Sequence, residues 1–128
     1  MNRAASGTGS VSLRAKLFRG LADPSRLGVL EALRGGPLPV SEVVTRTGLS
    51  QPNVSMHLAC LAECGLVRWQ RRGRFVEYEI ADKRVIRLLD QAEDLLLCVG
   101  SLIECCPRYR REALAHPVGP ASGRKGNR

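Results

Sequence analysis

Aromatic residues are scarce in this chain of 128 residues, which holds two Phe, two Tyr and one Trp. Any core it builds is therefore small and aliphatic, and a domain of this size has much to gain from pairing with a second copy. No apolar run approaches the roughly 20 residues that a membrane-spanning helix needs, so no membrane partner is expected. The opening stretch from Met1 to Ser10 is polar and lacks the apolar segment of a secretory leader, which points to a cytoplasmic chain. Missing too are a Gly-rich phosphate loop, paired catalytic carboxylates and a nucleophile-base signature, and the reading is that the chain is not an enzyme. Acidic residues are outnumbered 12 to 20 by Lys and Arg, a net charge of +8. That balance favours an anionic partner, above all nucleic acid. Histidine is confined to His57 and His116, whereas cysteine is present five times. An odd number of thiols without an export signal reads as reduced cysteine rather than a disulfide framework.

Three segments follow from composition. Residues 1–10 are Gly/Ser-rich and are expected to form a disordered tail, residues 107–128 a flexible basic tail, and residues 11–106 the folded part. Within it, Leu13, Leu17, Phe18 and Leu21 recur at helical spacing. Asp23-Pro24 then supplies a cap and a proline at the first helical position, predicting a helix from Pro24 to about Arg34 with Leu27, Val29, Leu30 and Leu33 as its apolar stripe. Gly35-Gly36-Pro37 stops it. A short helix fits Val40 to Thr47, Gly48 turns the chain, and Ser50 caps a helix from Gln51 to Cys64 with Val54, Leu58 and Leu61 on one face.

After Gly65 the period changes. Leu66–Arg72 and Phe75–Ile80 are short β-type runs about a turn at Gly73, a β-hairpin carrying Arg71, Arg72 and Arg74. A long helix from about Asp82 to Cys105 closes the domain, its apolar stripe too broad for a lone surface helix. The fold class is mainly α with a small β-hairpin (α+β): a winged helix-turn-helix whose N- and C-terminal helices make a helical dimer interface. In such a fold the second helix of the motif enters the major groove. Gln51, Asn53, Ser55 and His57 are then the exposed polar positions able to reach bases or phosphates, and the hairpin arginines contact phosphate or the minor groove. For His57 a packing role stands beside the DNA-facing one.

The runs Leu21-Ala-Asp-Pro-Ser-Arg-Leu27, Gly48-Leu-Ser-Gln-Pro-Asn-Val-Ser-Met-His-Leu58 and Arg72-Gly-Arg-Phe-Val-Glu-Tyr78 resemble the ArsR/SmtB family of metal-responsive repressors. The resemblance spans roughly Val11 to Ile103. It implies a homodimer that binds double-stranded operator DNA when metal-free and leaves it when metal binds.

The thiols bear on the ligand. Cys60 and Cys64 lie at helical i and i+4 positions, about 5–6 Å apart at Cβ, a separation two thiolates can close around a soft ion. Two sulfurs leave such an ion undercoordinated, and Cys98, Cys105 and Cys106 are the candidates for a third. Cys98, set in Leu95-Leu-Leu-Cys-Val-Gly100, fits core or interface packing better. The run His57-Leu-Ala-Cys-Leu-Ala-Glu-Cys-Gly-Leu66 resembles the CmtR branch of the family, which implies a Cd(II) or Pb(II) site of Cys60, Cys64 and a C-terminal thiol. Cys105 stands at the matching spacing, with Cys106 as the alternative. The family's other common sites have no counterpart, since Val40-Ser-Glu-Val-Val44 lacks cysteine and the long helix has Asp90, Glu93 and Asp94 but no histidine. Two further readings stay open: an As(III)- or antimonite-responsive repressor of the same fold, and a thiol redox regulator using Cys105 or Cys106.

Overall fold

The computed structural model describes residues 9–108. The expectations for residues 1–8 and 109–128, which include most of both tails and His116, fall outside the described residues.

Helix α1 spans Val11–Leu21 and is capped by Ser10, whose hydroxyl accepts from the Leu13 amide at 3.0 Å. Helix α2, Pro24–Ala32, begins with proline at its first turn, where the missing N–H costs nothing. Asp23 occupies its cap position without bonding the helix amides. Its carboxylate instead faces Arg26 and His57, each at 3.9 Å. The two-residue strand β1, Leu38–Pro39, leads into α3, Val40–Thr47. That helix ends on Gly48 in the left-handed region (φ 76°), whose amide donates to the Val44 carbonyl at 2.9 Å. Helix α4, Gln51–Glu63, starts under the Ser50 hydroxyl, which accepts from the Asn53 amide at 3.3 Å, and stops at Cys64 before Gly65 (φ 80°). Strands β2, Val67–Arg72, and β3, Phe75–Ile80, turn about Gly73, and α5, Lys83–Cys105, follows. Its cap is Asp82, which accepts from the Arg84 amide at 2.8 Å and whose carboxyl is held well below the usual carboxylate range by the Arg84 guanidinium.

The fold differs from expectation at the end of α2 and in the sheet. Helix α2 ends at Ala32 rather than Arg34, because the chain tightens through a bond from the Leu33 amide to the Leu30 carbonyl before the glycines. The hairpin also gains a third strand, giving the antiparallel order β1-β3-β2 with Leu38 opposite Tyr78 and Pro39 opposite Glu77. A two-residue strand shows no alternation, and its proline is tolerated because β1 lies at the sheet edge.

The core is aliphatic, as the composition demands: Val29, Leu30 and Leu33 from α2 and its end, Val43 from α3, Val54, Leu58 and Leu61 from α4, Val67 from β2, and Val85 and Leu89 from α5. Leu30 and Leu58 are completely enclosed. Only the first two turns of α5 join this core. Beyond Leu89 the helix carries Leu95, Leu96, Leu97, Leu102 and Ile103 into solvent, with Leu97 84% and Leu102 71% exposed. Arg34 holds the helix where it leaves, its guanidinium bonding Asp90, Glu93 at 3.1 Å and Glu31 at 2.7 Å.

Candidate nucleic-acid interface and thiol site

Helix α4 packs through Val54, His57, Leu58 and Leu61, positions spaced i, i+3, i+4 and i+7, which form one helical face. The opposite face is set by subtraction. Gln51, Asn53 and Ser55 are exposed, as expected, and Met56 lies open beside them. His57 is a correction: it is 7% exposed and its Nε2 sits 3.9 Å from the Asp23 carboxylate. Three residues after Val54 and one before Leu58, it falls on the packed stripe, so it ties α4 to the start of α2 and does not belong to the exposed face. The spacing carried that signal, but the polarity of histidine masked it.

The three hairpin arginines are exposed yet unequal. Arg72 is engaged across the strands, Nε to Glu77 at 3.1 Å, and along its own strand, Nη2 to Gln70 at 3.3 Å, while Arg68 pairs across the strands with Glu79 at 2.7 Å. Among the described residues Arg71 and Arg74 have no acidic partner within salt-bridge distance. These two cations are therefore the ones available to phosphate without breaking an existing pair.

At the other end of α4, Cys60 is half-buried and Cys64 is exposed. Although its residue faces solvent, the Cys64 thiol is pushed above its usual range, first by partial desolvation and then by the Cys60 thiol beside it. Arg26 pulls it the other way. The pair opens onto a groove of about 540 Å³ between α1 and α4, lined by Leu13, Arg14, Lys16, Leu17, Gly20, Arg26, Cys60, Leu61, Cys64 and Leu66. Arg26 had no sequence signal as part of this site, since only the packing of α2 beside α4 brings it to the thiols. Cys98 and Cys105 are exposed and Cys106 is half-buried, all on α5 or at its end. Cys98 therefore does not pack into the core of the chain. Among the described residues no three His, Cys, Asp or Glu side chains gather in a metal-binding arrangement. The fold unites Cys60 with Cys64 but does not bring Cys105 or Cys106 of the same chain to them. Two neighbouring thiols are donors of the type that suits a soft ion. No helix among the described residues is long and apolar enough to cross a membrane.

Residues 23–68 match the family model described as bacterial regulatory protein, arsR family. Among similar proteins, the probable mercury resistance operon repressor of Streptomyces lividans is 40% identical over 77% of this chain and 78% of its own length. The HTH-type transcriptional regulator CmtR of Mycobacterium tuberculosis is 39% identical over 73% of this chain and 80% of its own. Among solved structures, the homodimeric winged helix-turn-helix DNA-binding domain of a possible ArsR-family regulator from Mycobacterium bovis is 27% identical. It superposes with a TM-score of 0.58 over 78% of this chain and 96% of that one.

Proposed function

The chain belongs to the arsR family of bacterial regulatory proteins, and from that premise we propose that it is a homodimeric repressor released from operator DNA by Cd(II) or Pb(II) at Cys60 and Cys64. One observation carries the reading. The helix whose start exposes Gln51, Asn53 and Ser55 ends in the paired thiols, so whatever engages the thiols acts on the element that reads DNA.

In this reading α4 lies in the major groove and Gln51, Asn53 and Ser55 reach base edges or phosphates, while Arg71 and Arg74 hold the flanking backbone and Arg72 joins them at the expense of its Glu77 pair. A thiophilic ion, when bound, supplies a strong cross-link between sulfurs that have lost their protons. Cys60 and Cys64 contribute two of the donors. The third comes from the end of α5 of a second copy, Cys105 first and Cys106 as the alternative, because the chain does not bring its own to the pair. Homodimer formation uses the exposed faces of α1 and α5 and is supported by the homodimeric state named for the related M. bovis domain. Tying α4 to the far end of α5 changes the spacing and freedom of the two reading helices. DNA and ligand then oppose each other by the same free energy, about 1–3 kcal/mol in ordinary allostery.

Cadmium titration of the reduced protein checks this. A thiolate absorption band is expected that Cys60→Ser and Cys64→Ser each abolish and that Cys105→Ser or Cys106→Ser weakens, in parallel with loss of metal-induced release from DNA. Unchanged release in the Cys60→Ser, Cys64→Ser double variant sinks the proposal. A second reading rests on the same pair. Mercury(II) is satisfied by two thiolates in line, which is the number the chain unites, and the S. lividans relative is named for mercury resistance. Under that reading the Cys105 and Cys106 variants respond to mercury as the parent does.

A further inference from the structure

Strand alternation gives the β2–β3 hairpin two unlike faces. On one, Arg68, Gln70 and Arg72 of β2 stand beside Phe75, Glu77 and Glu79 of β3. Its arginines are already engaged, Arg68 by Glu79 at 2.7 Å and Arg72 by Glu77 at 3.1 Å. That face is close to neutral, and its carboxylates oppose a polyanion. On the other, Val67, Trp69 and Arg71 stand beside Val76, Tyr78 and Ile80. Val67 is buried at the base and the three β3 residues are half-buried, yet Trp69, the single tryptophan of the chain, is 58% exposed. Arg71 is exposed on the same face, about 7 Å farther along the strand. It has no acidic partner within salt-bridge distance among the described residues.

We infer that Trp69 is the hairpin's apolar contact with DNA, its indole lying against a deoxyribose of one strand while Arg71 holds an adjoining phosphate. The inference rests on the proposed DNA reading by α4 and names the face and the side chain through which the hairpin joins it. Charge and chemistry together decide the occupant. An indole and an unpaired guanidinium one pleat apart suit a surface on which apolar and anionic groups alternate at short range. A DNA strand is such a surface, because each sugar lies between two phosphates. Trp69 stands on β2, apart from α1 and α5, whose exposed faces serve the proposed dimer. Every nucleotide carries the same sugar, so the contact adds affinity without choosing a sequence. It neutralises no phosphate either, so it adds nothing to the counterions released.

The test uses the reduced full-length protein and duplexes that it enriches from a random-sequence pool. Acrylamide quenching of the parent's tryptophan fluorescence, which reports Trp69 alone, should fall as DNA binds. Trp69→Ala should weaken binding about tenfold, the scale of losing an apolar ring contact. All enriched duplexes should be affected alike, with the slope of log affinity against log salt unchanged, and Trp69→Phe should recover most of the loss. Arg71→Ala should instead reduce that slope by about 1. Equal quenching with and without DNA, parental affinity in Trp69→Ala, or a Trp69→Ala slope that drops as that of Arg71→Ala does, each overturns the inference. Shielding of Trp69 that follows protein concentration without DNA assigns the face to a second copy and overturns it too. If Trp69→Ala loses the parent's far-ultraviolet dichroism, the quenching of the parent and the affinity of Trp69→Phe decide. Failure to enrich any duplex takes down the DNA reading itself.

Discussion

The two halves of α5 both carry apolar side chains and meet opposite fates. Val85 and Leu89 in the first half are buried against the core, whereas Leu95, Leu96, Leu97, Leu102 and Ile103 in the second are exposed. The changeover is abrupt and occurs where Arg34 clasps Asp90 and Glu93. A single chain of this size has one small core to offer, so the first half is stabilised within the chain, and in the proposed homodimer the second half is stabilised by association. Burial on one helix then separates what folds the domain from what the proposed pairing covers.

Breaking the comparison from the core side should have the largest effect. Leu30→Ala is expected to cost about 2–5 kcal/mol in denaturant unfolding, since a fully enclosed leucine leaves a cavity, while the folded chains still associate. Replacing Leu96 and Leu102 together by Glu should do the reverse. Dimer dissociation, followed by analytical ultracentrifugation, should become at least about thirtyfold easier, the scale of an interface hot spot, with thermal unfolding of the separate chains little altered. If the double Glu variant unfolds instead, the second half belongs to the fold and the distinction fails. The smallest effect is expected at the boundary. Arg34→Ala should cost about 1 kcal/mol or less, because Asp90 and Glu93 are largely solvated and screened, and hydrogen exchange should quicken after Leu89 but not before it. Equal quickening along all of α5 would mean that Arg34 marks no division.

Much of this architecture was legible from local signals. Pro24, Gly48, Ser50, Gly65 and Gly73 punctuate the chain by restricting or freeing the backbone or by capping a helix, which needs no tertiary information. The stripes Val29-Leu30-Leu33 and Val54-Leu58-Leu61 follow from helical periodicity, and their members are buried. Cys60 and Cys64 fall on one face by spacing alone. Residue type misled where it competed with spacing, as at His57, whose buried ring faces Asp23 at the start of α2. For Cys98 the apolar neighbours suggested core or interface packing, and its exposure in the single chain removes the core option alone.

What the sequence determined by itself, then, was the order of elements, the basic surface and the thiol pair, because caps, periodicity and charge act over a turn or two of chain. Only the tertiary structure decided that β1 joins β3, that Arg72 is paired while Arg71 and Arg74 are not, that Arg26 lines the same groove as Cys64, and that no third thiol of the chain joins the pair. Each of these depends on how segments distant in sequence approach one another, and that approach is set by the summed packing of a shared core, which no local pattern encodes.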